Sequence, residues 1–112
     1  ARKPVDFWGY TWTRRYNLNR VVYTPGETTA DGGWFAAGGG GLHVQVRQDF
    51  EWVDVGPLTI TPDYPYDASA GPNRTYEFDF RDTWGDGVRI IGPPGGAMRF
   101  TTLAELEVYY VD

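Results

Sequence analysis

LHVQVRQDFEWVDV, residues Leu42 to Val55, contains a strand, a reversal and a second strand in fourteen positions. Leu42, Val44 and Val46 alternate with His43, Gln45 and Arg47, so one face is apolar and the other polar. That is the period of a half-buried strand. Asp49-Phe50 makes a tight turn into EWVDV, the return strand of a hairpin. On this reading His43 is a solvated strand residue and Trp52 a structural ring.

The same period continues on both sides. Upstream, Trp8, Tyr10 and Trp12 alternate with Gly9, Thr11 and Thr13, a core pattern first and a flat aromatic platform second. NLNRVVYT, Asn17 to Thr24, is the next strand. Downstream, Leu58 to Thr61 adds a short strand, and RTYEFDF sets Tyr76, Phe78 and Phe80 on one face. Trp84-Gly85-Asp86-Gly87 turns the chain into VRIIG, with Trp84 read as structural. The final strand points Ala104, Leu106, Val108 and Tyr110 inward. Its TLAELEVYY run has helix-friendly residues, but Val108, the paired Tyr and the preceding Gly-rich turn favour a strand. About eight short strands without a helix predict an all-β, antiparallel β-sandwich or jelly roll. Residues 1–112 are expected to form one domain.

Composition agrees. The chain has five Trp, eight Tyr, 15 Gly and 8 Pro but one Met, which favours strands and turns over helices. With no cysteine, neither a disulfide nor a thiolate site is available. The net charge of −5 opposes nucleic acid and anionic membrane as partners and leaves neutral partners open. No apolar stretch approaches the roughly 20 residues of a membrane span. One histidine and the absence of nucleophile and phosphate-loop motifs argue against an enzyme. The carboxylate pairs Glu77/Asp79 and Glu105/Glu107 fall on outward strand faces, where no cleft desolvates them. Asn73-Arg74-Thr75 is a glycosylation sequon, relevant only if the source glycosylates its secreted proteins.

GDGVRIIGPPGGAMRFTTLAELEVYY, Gly85 to Tyr110, resembles the closing segment of discoidin-like (factor V/VIII type C) domains of the galactose-binding-like superfamily. FWGYTW, NRVVYTPG and LHVQVRQDFEWVDV resemble that family's earlier strands, in the same order. The resemblance implies a galactose-binding-like jelly roll, as in bacterial carbohydrate-binding modules, with ligand held by loops at one end. It departs from the family in having only Ala1 to Phe7 before the first of these strands, so the family's N-terminal strand is either absent or outside this sequence. The family's structural Ca²⁺ site would leave Glu105 as its one counterpart here, and Ca²⁺ takes six to eight oxygens. No cofactor is therefore expected, structural calcium being unsupported by a complete ligand set.

If neighbouring strands alternate in direction, the loops 25–41, 62–73 and 93–99 share one end. They carry Trp34, Tyr64, Tyr66, Asp67 and Arg99, the residues expected to bind ligand: rings for the apolar faces of a sugar, polar groups for its hydroxyls. The expected function is a non-catalytic carbohydrate-binding module, secreted and covalently attached to other domains of a glycan-active enzyme. The alternatives are a structural or protein-docking module without a sugar site, and an anionic-lipid binder. The last is opposed by Glu27, Asp31, Asp63 and Asp67 in the loops.

Overall fold

A computed structural model describes residues 5–111; residues 1–4 and 112 of the expected single domain lie outside the described residues. The chain is all-β and antiparallel, with no α-helix among the described residues. Its strands are β1 (Asp6–Thr24), β2 (His43–Gln48), β3 (Glu51–Asp54), β4 (Thr59–Thr61), β5 (Tyr76–Gly92) and β6 (Glu105–Val111). They form one sheet ordered β3-β2-β5-β1-β6, with β4 paired to the first part of β5.

The sequence pattern divides the chain more finely than this. The two strands expected within 7–24 are one strand, β1, and RTYEFDF and VRIIG are joined in β5. The reason lies in how the two long strands pair. Four residues of β1, 12–15, face the single residue Asp86 between the pairs Thr11↔Gly87 and Tyr16↔Gly85. Each strand bends where its partner bends, so pairing resumes beyond the irregularity and neither strand ends. Gly85 suits the bend because a Cβ there would overlap Val46 and the Arg47 carbonyl. A second irregularity at Asn19 reverses the inward parity, so that Leu18, Val21 and Tyr23 are all buried.

The long strands thereby serve two halves of the fold. β2 pairs with the second part of β5, opposite the start of β1, and carries β3 on its other edge, while β4 pairs with the first part of β5 and β6 with the second part of β1. Val44, Val46, Val88 and Ile90 from the first half pack with Val21, Tyr23, Tyr76, Phe78 and Leu106 from the second in one core. Side chains of early β1 bridge the halves: the Tyr10 hydroxyl donates to the Leu106 carbonyl at 2.8 Å, and Trp8 Nε1 to Thr101 Oγ1 at 3.0 Å. Thr101 in turn donates to the buried Asp6 carboxylate at 2.6 Å.

The hairpin turn falls at Asp49-Phe50, both with positive φ of 51° and 65°, and sets the pairs Gln48↔Glu51 and Arg47↔Trp52. These are the backbone angles of a primed two-residue turn, whose twist matches the strands. On β6, Leu106 is buried and Val108 half-buried as expected, but Tyr110 is exposed, as is Ala104 just before the strand. β6 is an edge strand, and the exposed Tyr110 ring stands 5.0 Å from that of Tyr16. Trp84, expected to be structural, is exposed and sits next to the bend, paired with Asn17.

Candidate functional site

The three long loops do meet. Thr28 Oγ1 donates to the Ala68 and Gly71 carbonyls at 2.6 and 2.8 Å, tying 25–41 to 62–73. Gly33 N–H donates to the Phe100 carbonyl, Gly95 N–H to the Trp34 carbonyl and Met98 N–H to the Asp31 carbonyl, each at 2.8 Å. The loops satisfy one another's backbone groups and pack as a plug.

Three of the five residues expected to bind ligand, Trp34, Tyr64 and Tyr66, are engaged in that plug. Tyr64 is buried, with its hydroxyl accepting the Phe35 N–H at 2.8 Å and its ring edge-on to Tyr66 and Tyr76. Burial holds its phenol far above the ordinary value of 10.0. The Tyr66 hydroxyl accepts from Leu42 N–H at 3.2 Å. Trp34 is half-buried against Gly95 and donates Nε1 to the Thr29 carbonyl at 2.8 Å. The Asp67 carboxylate accepts from the backbone N–H and hydroxyl of Ser69, which hold it below the usual carboxylate range. Arg99 is exposed at a positive φ of 54° and makes no ion pair among the described residues. The structure therefore brings these loops together but leaves Arg99 outside the interlocked rings.

A second arrangement lies on the outer face of β3-β2-β5-β1. The pairs Gln45↔Arg89, Gln45↔Asp54 and Gly9↔Arg89 run across this face, so residues distant in the chain share it. Arg89 is at its centre. Its guanidinium carbon lies 4.9 Å from the Phe7 ring centroid and 4.4 Å from that of Trp52, and its Nε donates to Gln45 Oε1 at 2.9 Å. Gly9 carries no side chain beside it, and any Cβ there would meet the Val88 carbonyl and Arg89. The result is a hollow of about 150 Å³ walled by Phe7, Thr11, Trp52 and Arg89.

A larger hollow of about 310 Å³ continues from Gln45 towards the loop end, lined by His43, Asp54, Ile91 and Pro93. His43 Nδ1 lies 3.7 Å from Asp54 Oδ1, while its Nε2 is 3.3 Å from the Gly39 carbonyl. The two hollows together offer two ring faces, a cation, an amide and a carboxylate along one strip of sheet. Such groups can hold a ligand with apolar faces and a polar rim.

Alternation placed His43 and Gln45 outward, but Trp52 joins them only through the hairpin register Arg47↔Trp52. The signal was available in the two-residue turn. Of the three rings expected to face inward, Trp8 and Trp12 pack against the core, whereas Tyr10 is exposed and only its hydroxyl reaches across to the Leu106 carbonyl; Phe7 is exposed on the outer face. Glu105 is exposed at the start of β6, and no group of three or more His, Asp or Glu placed to share a cation occurs among the described residues.

In comparisons with known proteins, the chain matches no family model, no curated protein and no solved structure.

Proposed function

We propose that this chain is a non-catalytic carbohydrate-binding module, part of a secreted glycan-active protein, whose sugar lies along the outer face of β3-β2-β5-β1. The observation that carries this reading is the pair of rings, Phe7 and Trp52, set on either side of Arg89 beside a floor opened by Gly9. A sugar ring presents C–H faces to aromatic planes and hydroxyls to amide, guanidinium and carboxylate groups. Phe7 is 51% exposed, so one ring has free surface to offer. The larger hollow, about 310 Å³, is at the lower end of the roughly 300–1,000 Å³ of small-ligand sites. This reading moves the ligand from the loop end to the sheet, since the loop rings are occupied with one another. Pull-down on a panel of neutral and acidic polysaccharides tests it. Binding that Trp52→Ala abolishes supports it, and no binding to any polysaccharide overturns it.

Protein docking is the second reading, favoured by a different place. Trp84 and Tyr110, each 58% exposed, flank a hollow of about 370 Å³ with Arg14 at the strand bend. Asn17 lines it too, and its Oδ1 is buried with no hydrogen-bond partner among the described residues. Retention of polysaccharide binding by Trp84→Ala would separate the two places.

A further inference from the structure

Three described arginines are half-buried: Arg20, Arg47 and Arg89. Arg20 meets Asp79 at 2.6 Å and Glu77 at 3.4 Å, and Arg47 meets Asp86 at 2.9 Å. Arg89 differs. Among the described residues it has no carboxylate within ion-pair distance, only Gln45 on its Nε and the rings of Phe7 and Trp52.

A partly desolvated cation without a counter-ion is a disfavoured arrangement that an anion relieves. Burial accordingly draws the Arg89 guanidinium below its ordinary pKa. With Nε engaged, the two Nη groups form the free edge, and that edge fits the two oxygens of a planar carboxylate. The flanking rings restrict the guanidinium's orientation, so less freedom is lost when the pair forms.

We propose that the outer face recognises an acidic glycan, one whose uronic acid carboxylate pairs with Arg89 while the sugar ring lies against Phe7 or Trp52. This rests on the carbohydrate reading above and names its ligand class. The net charge of −5 does not forbid it, because at physiological salt charges farther than about 8 Å are largely screened. The local contact then governs.

Calorimetric titration of the full chain tests the inference. The probes are polygalacturonate and alginate oligosaccharides, the same oligomers after reduction of their carboxyl groups to neutral sugars, and a sulfated neutral polysaccharide. At least one of the two carboxylated oligomers should bind at least tenfold more tightly than its reduced form and than the sulfated polymer, and its binding should weaken as salt rises. Arg89→Gln should erase the preference for carboxylate, and Arg89→Lys should keep part of it. Should Arg89→Gln fold poorly, the wild-type comparison and Arg89→Lys still decide. Equal binding of carboxylated and reduced oligomers, equal binding of the sulfated polymer, or a preference that survives in Arg89→Gln overturns this inference and leaves the carbohydrate reading standing. Failure to bind any of these probes overturns the acidic-glycan inference, whereas only failure across the whole polysaccharide panel overturns the carbohydrate reading as well.

Discussion

The Phe35 backbone N–H donates to the Tyr64 hydroxyl at 2.8 Å, and both residues are buried. This bond joins the first long loop to the second beneath the plug they form. Tyr64→Phe would leave the Phe35 N–H unpaired in the core, a loss of about 1–3 kcal/mol. Tyr64→Ala would add a cavity and reach about 3–5 kcal/mol. Urea denaturation measures both. The folded fraction of either variant should bind polysaccharide as the wild type does.

Trp52 and Trp34 make opposite predictions. Trp52 is half-buried on the outer face, so Trp52→Ala should reduce polysaccharide affinity at least tenfold, about 1.4 kcal/mol, while the protein stays folded. Trp34 lies against Gly95 and bonds the Thr29 carbonyl, so Trp34→Ala should loosen the loops and lower the melting temperature with little change in affinity. Calorimetry in both modes, binding and melting, distinguishes them. A large affinity loss in Trp34→Ala alone would return the site to the loop end.

Two glycines should respond differently to alanine. At Gly85 a Cβ would overlap Val46 and the Arg47 carbonyl, so Gly85→Ala should destabilise by about 1–3 kcal/mol or more. At Gly38 the nearest atom is Pro93 Cγ at 3.9 Å, so Gly38→Ala should stay within about 0.5 kcal/mol of wild type. Denaturation midpoints of the pair check the bend of β5 directly.

Alkali should unfold the protein through Tyr23 and Tyr64. Burial is the largest cause raising both phenols well above their ordinary value of 10.0, and Tyr23 also donates its hydroxyl to the Thr102 carbonyl at 2.7 Å. The folded pKa exceeds the unfolded one, so the stabilisation is complete below pH about 10 and declines as pH rises beyond it. Tyrosinate absorbance should show an early, exposed class and a late class that appears together with loss of structure. A single early transition of all tyrosines with the fold intact would contradict the buried positions.

Chelation offers a further check on the outer surface of β6. Glu105 belongs to no group of three or more His, Asp or Glu placed to share a cation among the described residues, so EDTA should leave the melting temperature unchanged. A fall of several degrees, restored by Ca²⁺, would show that Glu105 completes a site with other oxygens.

Sequence alone determined which side of β2 and of the first part of β5 faces the core. The alternation of Leu42, Val44 and Val46, and of Tyr76, Phe78 and Phe80, is a period of two residues, and burial follows it in the structure. The Asp49-Phe50 reversal and the meeting of the three loops at one end were legible for the same local reasons: turn chemistry and strand direction. Tertiary structure alone decided that β1 and β5 continue through their bends, because pairing across Thr11↔Gly87 and Tyr16↔Gly85 depends on two segments more than 65 residues apart. It also decided that Tyr64 and Trp34 pack with other loops instead of facing solvent, since a loop's partners are set by where distant loops land. The grouping of Phe7, Trp52 and Arg89 has the same origin. A strand's period says that a side chain points outward, but only the register between strands says what stands next to it.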